Sequence, residues 1–197
     1  MNFHAAKAFI LDKLERELSH KLYYHGVHHT LDVLYTIEEL CYLEKVTPYE
    51  ELLLKTAALF HDSGFIINNK EHERLSCQIA RENLPGYGYT SAEIGRICGM
   101  IMATRIPQSP QNYLETLLCD ADLDYLGRDD FYDIASTLFE ELKAYDVLQS
   151  KEAWNRVQVN FLEKHSFFTQ TNKRRRAPKK QQYLEELKEV VAAYEKN

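Results

Sequence analysis

The chain has 197 residues, of which 45% are hydrophobic, and a formal net charge of -6. That length holds one domain, or one domain with an extension, with enough apolar material for a packed core and far from the disordered range. The acidic balance argues against stable nucleic-acid binding, and no apolar stretch approaches the span of a bilayer.

Glycine (7) and proline (5) are scarce, and apolar positions recur at helical spacing. The segment Met1 to His20 is amphipathic and carries acids, without the apolar centre or cleavage site of a leader. Its Phe9, Ile10, Leu14 and Leu18 line one helical face. Leu31, Leu34, Ile37, Leu40 and Cys41 line a second helix that should begin near His25 and end before Pro48. Pro48 suits the first turn of a third helix, which ends at His61-Asp62-Ser63-Gly64. A fourth covers 71–84. Thr90 with Glu93 three residues on has the form of a capping box for a fifth, broken by Pro107 and Pro110. A sixth runs from about Gln111 to Tyr125, and later helices cover roughly 129–145, 150–165 and 179–195. No segment alternates long enough to be a strand, so the expected class is all-α. Four cysteines (Cys41, Cys77, Cys98, Cys119) lie scattered within these patterns with no pair at zinc-knuckle spacing. They read as buried, reduced thiols of a cytoplasmic protein. One composition shift stands out: Lys173, Arg174, Arg175, Arg176, Lys179 and Lys180 place six basic residues in eight positions, expected as a solvated linker rather than a phosphate-binding loop.

The residues suited to chemistry fall at three places. His61-Asp62 closes the apolar run 52–60, setting an imidazole nitrogen beside a carboxylate oxygen, a combination that suits a divalent cation. Upstream, His25 and His29 are four apart and share a face if helical, whereas His28 points elsewhere. Downstream, Asp120 and Asp122 sit in an apolar helix two positions apart, so their side chains diverge and one of them at most reaches a small ion. Arg105 is a candidate phosphate contact, since a guanidinium matches phosphate oxygens. Two imidazoles and two carboxylates accommodate Mn, Fe, Ni, Zn or Mg without selecting one, and four protein ligands on an octahedral ion leave about two positions open.

In this order the motifs resemble the HD superfamily of metal-dependent phosphohydrolases. Tyr24-His25-Gly26-Val27-His28-His29 is similar to the opening of the first ligand helix, Ala58-Leu59-Phe60-His61-Asp62 to the HD step, and Ala121-Asp122-Leu123 to the last ligand helix. The resemblance covers about residues 20–145. It implies an HD-type helical bundle over 21–145, preceded by a helix over 1–20 and followed by additional helices over 146–197 that pack on it. It implies His29, His61, Asp62 and Asp122 as metal ligands, with Asp120 as runner-up. It also implies Asp62 as proton acceptor from water, and His72 or His25 as acid toward a leaving group. The histidines that two-metal relatives carry between the HD step and the last aspartate are missing here: Met102-Ala103-Thr104-Arg105 stands in that interval. One ion per chain is therefore expected. The implied activity is hydrolysis of a nucleotide or other small phosphoester. The alternative is a nucleotide-sensing regulatory module that retains the metal site, with the basic segment and last helix as a docking surface. Tyr23, Tyr24, Phe65 and Tyr125 are expected pocket walls, and a homodimer stays open.

Overall fold

Five helix starts among the described residues carry a side-chain cap, from Asn2, Thr47, Thr90, Ser150 and Thr169, so local chemistry fixes where those helices begin. The structure, a computed structural model, describes residues 1–194, and among these it contains ten α-helices, three short 3-10 turns and no strand. The chain divides into two compact units, Met1–Asp122 and Leu123–Asn197.

The first unit holds α1 (Phe3–Glu17), α2 (Val27–Leu43), α3 (Pro48–Phe60), α4 (His72–Asn83), α5 (Ser91–Ala103) and α6 (Tyr113–Asp122). Thr47 caps α3 by accepting from the Glu50 amide at 3.3 Å, with Pro48 in the first turn, where a missing N–H costs nothing. Thr90 and Glu93 form the expected reciprocal capping box at the start of α5. α3 is the axis of this unit. It touches α1, α2, α4, α5 and α6, and its Leu53, Leu54, Ala57, Ala58, Leu59 and Phe60 are fully buried. Its second half, from Leu53 on, is apolar except for Lys55 and Thr56, and such a segment is stable only when neighbours cover most of its sides. Truncating one of its leucines to alanine would cost about 2–5 kcal/mol.

Two local expectations need correction. α2 begins at Val27, after Gly26, so His25 precedes the helix. Leu31 is 40% exposed; the buried face of α2 is His29, Thr30, Val33, Leu34, Thr36, Ile37, Leu40 and Cys41. Leu31 lies at the margin of that face, and threonines fill places where only aliphatic residues were expected. The sixth helix also stops earlier than its pattern suggests, at Asp122, before a 3-10 turn over Asp124–Gly127.

The second unit comprises that turn, α7 (Phe131–Ala144), α8 (Lys151–Lys164), α9 (Gln170–Arg175) and α10 (Ala177–Tyr194). Residue 195 of the expected last helix lies outside the described residues. α8 and α10 pack together, and Phe131 stacks on Tyr183 with centroids 4.5 Å apart. The basic stretch is not a linker. Thr169 caps α9 through the Asn172 amide at 3.1 Å, and the six cations divide among three environments. Lys173 and Arg174 are exposed, Arg175, Arg176 and Lys179 are half-buried, and Lys180 is buried with its ammonium donating to the carbonyls of Leu162 and His165 at the end of α8.

Candidate metal centre

The C-terminal end of α3 delivers His61 and Asp62, α2 delivers His29 one turn into the helix, and α6 delivers Asp122 as its last residue. These four side chains meet inside the first unit. His29 Nε2 lies 3.2 Å from Asp122 Oδ1, 3.3 Å from His61 Nε2 and 3.5 Å from Asp62 Oδ2. His61 Nε2 lies 3.2 Å from Asp62 Oδ2 and 3.5 Å from Asp122 Oδ1. Donor atoms bound about 2.1 Å from one ion stand roughly 3.0–3.4 Å apart in octahedral or tetrahedral arrangement. The observed imidazole–imidazole and imidazole–carboxylate separations of 3.2–3.5 Å match the edges such a shell would have. His29, His61 and Asp122 offer ligand atoms that all fall within 4.8 Å of one another.

Three further observations bear on whether a cation suits this place. His61 Nδ1 donates to the Ala58 carbonyl at 2.8 Å, which turns the lone pair of Nε2 toward the cluster, the arrangement a ligating imidazole needs. Asp62 Oδ2 is buried and accepts no hydrogen bond, since the nearby imidazole nitrogens are misaligned for one. Leaving a buried carboxylate oxygen unsatisfied is costly, and a cation between it and the imidazoles removes the cost. Third, the titration behaviour is that of a site short of positive charge. Burial opposes a charge on His61, yet the adjacent Asp62 and Asp122 raise its pKa well above the ordinary imidazole range. Burial likewise works against ionised Asp62, but His61 beside it pulls the carboxyl far below its usual range. Asp122 is lowered to about 2 by its contacts with His29 and His61, again against burial. The donor set thus fits a divalent cation.

The runner-up Asp120 is fully buried elsewhere on α6, as a two-residue offset on a helix requires. His72 begins α4 and places Nε2 3.5 Å from Asp62 Oδ1, the carboxylate oxygen turned away from the histidine pair. Its Nδ1 lies 3.3 Å from the Asn69 carbonyl. His25 reaches the same flank by another route than helical spacing: its ring stacks on Phe65, and Phe65 stacks on His72, each at 4.2 Å between centroids. Phe65 thus packs against both imidazoles, whose own ring centroids lie 6.2 Å apart. Tyr24 is buried with its ring 4.6 Å from that of His29, whereas Tyr23 is 48% exposed. Tyr125 belongs to the second unit and stacks on Phe131. Arg105 is not brought to the cluster by any hydrogen bond or ion pair among the described residues. It is exposed and lines a surface hollow with Met102, Ile106 and Gln111.

Gly64 is the residue whose role was not read from the sequence. A Cβ there would stand 2.0 Å from the His72 carbonyl oxygen and 2.8 Å from the Ser76 amide. The Gly64 amide donates to Ser76 Oγ at 2.8 Å, which fastens the start of α4 onto the turn after the HD pair. This close approach is what sets His72 beside Asp62. In the sequence the spacing His61-Asp62-x-Gly64 carries that signal beside its reading as a helix stop. Comparison with family models, with curated proteins and with solved structures finds no match to this chain.

Proposed function

We propose that the protein is a metal-dependent phosphohydrolase of the HD type, acting on a nucleotide or other small phosphoester with one divalent cation held by His29, His61, Asp62 and Asp122. The observation that carries this reading is the meeting of two Nε2 atoms and two carboxylates at 3.2–3.5 Å around a buried, unsatisfied Asp62 oxygen. When bound, the cation supplies Lewis acidity, drawing electron density from a phosphoryl oxygen and making water acidic enough to ionise near neutral pH.

The chain's own residues supply the rest. Asp62 holds two tasks on two oxygens: Oδ2 faces the histidines, and Oδ1 faces His72 and can accept a proton from the attacking water. His72 Nε2, protonated, donates to the leaving oxygen, and its orientation is held by the Asn69 carbonyl and by the Phe65 ring. His25 across Phe65 is the second proton donor. The hydrophobic packing of α3 keeps the cluster dry, which strengthens each of these interactions.

Elemental analysis of the purified protein together with a panel of nucleotides and phosphomonoesters tests the proposal. We expect about one transition-metal or magnesium ion per chain and turnover that stops on chelation. A metal-loaded sample that binds nucleotides and hydrolyses none would replace the enzyme with a sensor. A sample that takes up no ion would remove both.

A further inference from the structure

The basic stretch 173–180 is not used by the metal centre, and in the second unit it builds a second place with the opposite charge preference. Arg175, Arg176 and Lys179 from α9 and α10 line one hollow of about 510 Å³ together with Gly127, Arg128, Asp129 and Asp130. Four cations thus face two carboxylates there. We infer that this hollow binds the phosphate or diphosphate group of a small molecule, a property that goes beyond the hydrolase reading and does not depend on it.

Three features argue for a constructed site. First, two chain segments are forced together to make it. A Cβ on Gly127 would stand 2.3 Å from the Arg176 carbonyl oxygen and 2.5 Å from Arg176 Cβ, so only glycine lets the 3-10 turn carrying Arg128 lie against the α9–α10 junction. Second, the guanidiniums are oriented from behind. Asp124, the buried first residue of the turn, accepts from Arg176 Nε at 2.8 Å and from Asn172 Nδ2 at 3.1 Å. Asp130 grips Arg128 in a two-pronged pair, at 2.9 Å to Nε and 2.8 Å to Nη2. A guanidinium held by one edge presents its charge in a defined direction, which suits the planar, multidentate recognition of phosphate oxygens. Third, Asp129, the acid paired with Lys179 at 2.9 Å, has a side chain 94% exposed. An ion pair that open to solvent contributes little, so an incoming phosphate can compete for the ammonium.

Calorimetric titration of the full-length protein with pyrophosphate, with and without Mn²⁺ and at low and high salt, tests the inference. Saturable binding that weakens with salt and persists without Mn²⁺ is expected. Lys179→Gln and Arg175→Gln should each weaken it about tenfold, the loss of one charge-assisted contact. Asp129→Asn should tighten it about two- to threefold by removing a competing charge, an effect that a purely structural ion-pair network does not produce. Lys188→Gln, which changes a lysine paired with Glu163 on another surface of the unit, serves as control and should leave binding unchanged. Absence of saturable heat, or an equal loss in Lys188→Gln, overturns the inference. So does binding that requires Mn²⁺ and disappears in Asp122→Asn, because that phosphate would sit at the metal centre. Melting curves of all variants separate weakened binding from lost folding, and Lys179→Gln, which removes only a half-exposed amine, carries the test if Arg175→Gln unfolds.

Discussion

Asp122 and Asp124 are two residues apart, yet they end in different units and in opposite electrostatic states. Asp122 stands among imidazoles, and its carboxyl is lowered to about 2. Asp124 stands beneath guanidiniums, and burial nevertheless pushes its carboxyl up, with Arg176 only partly countering. The imidazoles around Asp122 are titratable and can trade a proton for a metal ion. The guanidiniums around Asp124 are permanently charged and trade nothing. The first arrangement lacks positive charge until a cation arrives; the second has positive charge in excess and turns it outward. The partner, not the aspartate, decides which ligand a buried carboxylate prepares for.

That contrast can be broken most sharply at the first unit. Asp62→Asn and Asp122→Asn should each take the bound ion from about one per chain toward zero, and turnover with it, while the far-ultraviolet CD spectrum keeps its helical shape. Metal content by elemental analysis and activity on a phosphoester panel read the outcome. If Asp62→Asn unfolds the protein, the cation is chiefly structural.

At the second unit the expected loss is in stability. Arg176→Met leaves Asp124 buried without its strongest partner, a change of about 3–5 kcal/mol near neutral pH. The sign with pH follows from the raised carboxyl. An ionised Asp124 is what costs stability, so the penalty should shrink as pH falls through its elevated pKa and the group becomes neutral. Melting temperatures at pH 4 and pH 7 should therefore differ less between wild type and variant at the lower value. A constant difference would sink the account.

Gly64→Ala comes next. The new methyl must displace the start of α4, at about 1–3 kcal/mol, and should reduce turnover more than metal content, because it moves His72 and leaves the four ligands in place. Equal losses of metal and activity would show that α4 supports the ligands themselves.

The smallest expected effect sharpens the comparison of titratable and permanent charge. In metal-free protein His61 has a raised pKa, so its interaction with Asp62 and Asp122 stabilises the fold fully below the ordinary histidine range and is lost as pH rises through the raised value. A cation must displace that proton. Its affinity should rise about tenfold per pH unit until the raised pKa is passed, then level off. Pyrophosphate binding at the arginine hollow should show no such protein-side rise. Isothermal titration from the ordinary imidazole range upward, continued past the raised His61 value, checks both arms.

Much of this was legible before any coordinates. Caps and glycine stops are local chemistry, so the helix start at Pro48, the capping box at Thr90 and the end of α3 fell where their residues required, although the Thr47 cap itself was not anticipated. The choice of His29, His61 and Asp122 came from the resemblance to the HD superfamily; the residues themselves required only that one of Asp120 and Asp122 at most reach a common ion. What could not be read is tertiary. Leu31 has the spacing of a core residue, yet it sits at the margin of the face that α2 buries and is 40% exposed. His25 reaches the site by stacking on Phe65, which no spacing rule anticipates. The basic stretch reads as solvent-exposed because charge runs usually are, and only folding shows that Gly127 and Asp124 draw part of it inward. Arg105 was chosen for its chemistry alone, and its place on the surface depends on how the chain leaves α5.

The burial of α3 from Leu53 to Phe60 has a consequence for hydrogen exchange. The amides of that half are covered by neighbouring helices, so their deuterium uptake should be among the slowest in the first unit, while the exposed first turn at Tyr49 should exchange early. His61 and Asp62 follow directly on the protected half, so this pair should keep its place when the outer end of the helix frays.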